Sequence, residues 1–122
     1  MHYLIDGYNV AHWLLRDDEA RPEQLRAALL AALPARLPRG TTTEIFWDVR
    51  RPSAVPPNEY LGWCTVRNVP DADAAILEAV SAAENPRTLT VVSRDREVTG
   101  KSRQLGANIL APVDLLGRRG RA

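Results

Sequence analysis

An α/β fold, a three-layer α/β/α sandwich around a parallel five-stranded sheet, is what this sequence predicts, on three observations. First, five short runs read as strands: residues 2–6, 43–48, 63–66, 88–93 and 108–110. Second, several of these runs are continuous rather than alternating, as in Tyr3-Leu4-Ile5 and Leu89-Thr90-Val91-Val92. Such runs suit parallel strands covered on both faces. Third, apolar stripes at helical spacing lie between the strands, and that alternation implies right-handed crossovers.

The helices follow in order. A short one is expected over residues 9–15. Leu25, Leu29, Leu33 and Leu37 recur every four residues and place a second helix from about Pro22, where a first-turn proline loses nothing by lacking an N–H. Pro34 should end or kink it. Ala72, Ile76, Ala79, Val80 and Ala83 form a third stripe, and Val98, Ser102 and Leu105 a fourth, with Gly106 placed as its stop. A last short helix is expected over residues 113–116. Residues 49–60 carry Pro52, Pro56 and Pro57 and read as irregular. Residues 1–116 are expected to form a single domain, followed by a basic tail, 117–122, that frays.

The chain has 122 residues, 45% of them apolar and 25% charged. One domain of ordinary globular composition fits these figures. A single cysteine, Cys64, excludes an internal disulfide and a CxxC metal knuckle. No apolar run approaches the roughly 20 residues that cross a bilayer, and the N-terminus lacks the features of a signal peptide. The expected setting is a reducing cytoplasm, with no membrane partner. The net charge of +1 does not advertise nucleic acid by itself. Arginine placement says more: Arg50, Arg51, Arg67, Arg94, Arg96 and Arg103 fall near candidate site loops, and guanidinium forks bind phosphate bidentately.

The chemistry is expected where the strands end. The first ends in Asp6 and the second in Asp48. Asp73 falls in the first turn of the third stripe, and Asp95 follows the fourth strand at once. In parallel sheets the site lies at the carboxyl ends of the strands. Each acid also has a structural use: Asp71 and Asp95 as helix caps, Asp73 as a dipole-favoured first-turn residue, Asp6 and Asp48 in turns. Four together need more. Two carboxylates about 5 Å apart repel by roughly 3 kcal/mol at an effective dielectric near 20. Protons or a cation must offset that repulsion. Oxygen ligands without Cys or His select Mg²⁺ or Mn²⁺, which suits phosphodiester hydrolysis.

Other chemistry lacks its motif. There is no Walker A sequence, no GxGxxG, no HExxH around His2 or His12, and no GxSxG elbow to support a set built from Ser93, His12 and an Asp. Asp48 lacks the second Asp of an aspartyl-phosphate phosphatase. A receiver-type regulatory domain wants a lysine after a later strand, and Lys101 lies too far into its helix.

With those residues in view, the chain resembles a known family. Tyr3-Leu4-Ile5-Asp6-Gly7-Tyr8-Asn9-Val10 is similar to the hydrophobic-Asp-Gly-Tyr-Asn opening of NYN-domain proteins, which are PIN-like metal-dependent ribonucleases, and within them to the YacP-like subgroup. Ile45-Phe46-Trp47-Asp48, Ala72-Asp73-Ala74-Ala75-Ile76, Val91-Val92-Ser93-Arg94-Asp95-Arg96, and Gly106-Ala107 with Asp114-Leu115-Leu116 follow in the family's order. The resemblance implies strand order 3-2-1-4-5 and endonucleolytic cleavage of RNA with Mg²⁺ or Mn²⁺. It implies Asp6, Asp73 and Asp95 as the metal-site acids, Asp48 as a fourth catalytic acid, Asn9 as an orienting or phosphate-contacting residue, and Ser93 as a support for an acid. Arg94, Arg96, Arg50, Arg51 and Arg103 are the expected RNA-binding rim. Where the subgroup carries further acids, this chain has Ala74 and Leu77. The alternative reading is therefore a catalytically weak or inactive module that binds RNA or the ribosome. Self-association as a homodimer is left open.

Overall fold

The strand that opens the chain becomes the centre of the sheet. In the computed structural model, which describes residues 1–49 and 52–117, β1 (His2–Asp6) pairs in parallel with β2 (Thr42–Asp48) on one side and with β5 (Leu89–Val92) on the other. Beyond β2 lies β4 (Thr65–Val69), and beyond β5 lies β6 (Asn108–Leu110), both parallel to their neighbours. These five strands reproduce the expected order. A sixth, β3 (Glu59–Tyr60), joins the β4 edge antiparallel, so the full order is β3-β4-β2-β1-β5-β6.

The five-stranded expectation is thus short by one strand. β3 has two residues, too few to show any period, and it lies in the proline-rich stretch read as irregular. Side-chain bonds from β4 hold it there. The Asn68 side chain donates to the Pro57 carbonyl at 2.9 Å, and the Asn68 N–H donates to Asn58 Oδ1 at 3.1 Å. The third expected strand, 63–66, is displaced toward the C-terminus to Thr65–Val69.

Continuous apolar strands are explained by two cores. Tyr3, Ile5, Ile45, Trp47, Val66 and Val92 face one side. There they pack with α1 (Gly7–Leu15), α2 (Pro22–Ala32) and α5 (Pro112–Leu116). Leu4, Phe46, Val69, Leu89 and Val91 face the other side, against α3 (Ala72–Ala82) and α4 (Arg96–Gln104). Strand neighbours alternate between cores because successive Cβ atoms point to opposite faces. Fully burying a Leu, Ile or Phe contributes roughly 1.5–3 kcal/mol, so each run loads both layers.

Helix ends largely follow the sequence signals. Pro22 opens α2 and Pro112 opens α5. Gly106 stops α4 with φ +102°, a conformation that a side chain would resist. One stripe is narrower than expected: Val98 and Ser102 are buried, but Leu105 is 42% exposed. Leu105 is the C-cap of α4, beyond its last helical residue. No helix among the described residues is long and apolar enough to cross a membrane.

This topology positions the site. The chain leaves β1 toward β2 and β4, then returns to the other side of β1 as β5. The crevice between β1 and β5 at their carboxyl ends is the point where strand order reverses, where ligands bind in open α/β sheets.

Candidate active site

Asp6 ends β1 and is 5% exposed. It occupies the N-cap position of α1, yet its side chain makes no cap bond. Instead Oδ2 accepts a hydrogen bond from Ser93 Oγ at 2.8 Å across the β1–β5 crevice. The same Ser93 oxygen accepts from the Asp95 N–H at 3.0 Å. One buried hydroxyl therefore joins the end of β1 to the turn that opens α4. Asn9, in the first turn of α1, pins that turn as well: its Oδ1 accepts from the Arg94 N–H at 2.7 Å.

Gly7 lets α1 begin this close to the sheet. A Cβ there would stand 2.6 Å from Trp47 Cε3 and 2.8 Å from the Phe46 carbonyl oxygen. The Asp-Gly pair thus reflects close approach rather than a simple turn.

The four expected acids share one field. Burial pushes the Asp6 carboxyl from its ordinary value of 3.8 up to about 6; the Ser93 hydrogen bond opposes this, and the charges of Asp73, Asp95 and Asp48 add to it. Asp73, in the first turn of α3, is also raised, first by partial burial of its carboxyl, then by Asp95, Asp71, Asp48 and Glu97. Both shifts begin with burial of the carboxyl, and neighbouring acids add to each. Glu97 is a contributor that sequence reasoning missed. Its first-turn position two residues after Asp95 was the available signal.

Two acids also do the structural work expected of them. Asp95 caps α4, with Oδ1 accepting from Glu97 N–H at 2.9 Å and Val98 N–H at 3.4 Å. Asp71 caps α3 through the Ala74 N–H at 3.1 Å. Among the described residues, no group of three or more His, Cys, Asp or Glu side chains is placed to hold a metal ion as it stands. The expectation of Asp6, Asp73 and Asp95 as a ready-made ligand set is corrected to that extent. Ser93 holds one Asp6 oxygen, and the α4 cap engages one Asp95 oxygen. The donor chemistry still fits a hard divalent cation, because the group is all carboxylate.

The arginines divide. Arg94 and Arg96 are exposed beside Asp95. Arg103 is exposed in the last turn of α4, about 12 Å along the helix from Asp95 at 1.5 Å per residue. Arg67 is not at the carboxyl edge: on β4 it bonds Glu44 at 3.4 Å and lies over the Phe46 ring, 5.0 Å from its centroid. Arg50, Arg51 and the tail residues 118–122 lie outside the described residues. Of the histidines, His2 hydrogen-bonds Thr42 and Glu44, and His12 is exposed.

No family model matches the chain, and no curated protein sequence is detectably similar to it. Among solved structures it is similar to Rae1 (YacP) from Bacillus subtilis, with a TM-score of 0.66 and 16% sequence identity over 95% of this chain and 72% of that one. At this identity the likeness speaks for fold alone. Together with the sheet order and the two helical layers, it shows that the chain has a YacP-like form of the PIN-like α/β/α fold.

Proposed function

We propose that the chain is a metal-dependent endoribonuclease of the NYN-domain type, hydrolysing RNA phosphodiester bonds at the carboxyl edge of the sheet. The observation that carries this reading is the state of Asp6: uncapped, raised chiefly by burial, and raised further by three acids delivered from β2, α3 and the β5–α4 turn. A fold has no structural need for that convergence, which is costly unless a cation offsets it.

Asp6, Asp73 and Asp95 would hold Mg²⁺ or Mn²⁺, with Asp48 beside them. When bound, such a cation makes water a better nucleophile at neutral pH and neutralises charge on the phosphodiester. The chain's own residues orient the reaction. Ser93 fixes the Asp6 carboxylate and, through the Asp95 N–H, the start of α4. Asn9 holds the Arg94 backbone, so the side chains of Arg94 and Arg96 leave a fixed turn beside the acids. Those arginines supply the attraction to phosphate that the acids oppose.

A second reading has its own observation. The acids are not placed to hold a metal as they stand, and Asp95 already serves as a cap. An RNA- or ribosome-binding module that lost catalysis would look like this. Incubating a generic single-stranded RNA with the chain, with Mn²⁺ or with a chelator, separates the two. Cleavage should require the metal and disappear in Asp6→Asn. RNA binding without metal-dependent cleavage selects the second reading, and cleavage that survives Asp6→Asn refutes the role of Asp6.

A further inference from the structure

Beside the acid edge, between α1, α2 and the β2–β4 side of the sheet, lies an open groove of about 800 Å³. Its size suits a nucleotide-sized ligand. One wall is aromatic. The Tyr8 ring stacks on buried Trp47 with centroids 4.1 Å apart and planes at 26°, and more loosely on His12 at 6.2 Å and 29°. The lining also carries a charged pair, Arg26 Nη2 donating to Glu59 Oε1 at 2.8 Å. Asp48 lines the groove and also acts on the Asp6 and Asp73 carboxyls, so the groove borders the acid edge.

We propose that this groove is a nucleobase subsite holding an unpaired guanine of single-stranded RNA, next to the phosphate presented to the acids. The proposal rests on the ribonuclease reading for its substrate class, and it names what that substrate must carry. Aromatic ledges bind unpaired bases by stacking, and polar groups beside them read the base edge. Guanine offers two adjacent N–H donors next to a carbonyl. A carboxylate beside a guanidinium is the matching set: Glu59 accepts from the two N–H groups and Arg26 donates to the carbonyl. Arg26 keeps Glu59 ionised, holding its carboxyl below the usual range. Arg26 also has capacity to spare. Its Nε is shielded from water and has no acceptor among the described residues. A buried donor left unmet is unusual, and a ligand carbonyl that draws the guanidinium round would satisfy it.

The test titrates the full chain with 5′-GMP, AMP, CMP and UMP in Ca²⁺ buffer, followed by backbone and indole NMR shifts. GMP should bind about ten-fold more tightly than the others, with shifts at Trp47, Tyr8 and Glu59. Glu59→Gln, which keeps shape but removes the charge, should bring the four within about two-fold of one another. Tyr8→Leu should weaken all four alike, because it removes stacking. Equal affinity for the four nucleotides, a guanine preference that survives Glu59→Gln, wild-type affinities in Tyr8→Leu, or shifts confined to another surface would each overturn the proposal. No cleavage is measured, so these failures leave the ribonuclease reading standing. A chain that prefers GMP but cuts no RNA keeps the groove and refutes the cleavage.

Discussion

Replacing Asp6 with asparagine should make the metal-free protein more stable, although it removes the residue on which activity is proposed to depend. The Asp6 carboxyl rises from 3.8 to about 6 on folding, chiefly through burial and then through Asp73, Asp95 and Asp48. That is about two pH units, each worth roughly 1.4 kcal/mol, or about 3 kcal/mol of strain in the ionised folded state. Asparagine keeps a neutral acceptor for the Ser93 hydroxyl, and the loss of the stronger ionic acceptor is already contained in the net rise to about 6. The gain is about 3 kcal/mol, or roughly 12 °C in Tm for a chain of this size. The sign follows from proton counting. Between the ordinary value and about 6 the native state binds more protons than the unfolded chain. Wild-type stability therefore falls as pH rises through that window, and the loss is complete above it. The Asp6→Asn advantage should be full at about pH 8 and vanish below about pH 4. Thermal unfolding of both proteins in chelator across that range measures it. Millimolar Mg²⁺ should narrow the gap at high pH by stabilising the wild type alone. A destabilised Asp6→Asn at about pH 8, or a gap independent of pH, would show that Asp6 is a structural acceptor and that its repulsion by the other acids is unimportant.

Three further outcomes are expected. Ser93→Ala should raise the Asp6 carboxyl above about 6, because it removes the one influence lowering it; a carboxyl-carbon NMR titration reads the shift, and an unchanged midpoint refutes the Ser93 bond. Gly7→Ala should destabilise the fold by about 2 kcal/mol in urea, since its methyl would stand 2.6 Å from Trp47 and 2.8 Å from a backbone oxygen that cannot swing away. Arg94→Ala and Arg96→Ala should each lower the slope of log K for RNA against log salt by roughly one, measured in Ca²⁺; unchanged slopes in both would place the RNA path elsewhere.

Much of this architecture is written in local patterns. Tyr3-Leu4-Ile5 and Leu89-Thr90-Val91-Val92 announce strands buried on both faces because every residue in them must satisfy one of two cores. Pro22 and Gly106 mark helix ends because their backbone limits act within a residue or two. The four acids were legible for a related reason. In a parallel sheet every strand ends on the same edge, so a carboxylate ending β1 and another ending β2 must be neighbours, whatever the distance along the chain. The partition of labour among the acids was not legible. Asp6 and Asp95 both precede helices, and either could cap; only the pairing of β1 with β5 brings Ser93 to Asp6 and leaves the cap to Asp95. Likewise β3 depends on its pairing with β4, and the groove on the Arg26–Glu59 contact between segments more than 30 residues apart. Periodicity reports what a residue does for its own element. Which side chains face one another across elements is decided only when the sheet closes and the two cores are filled.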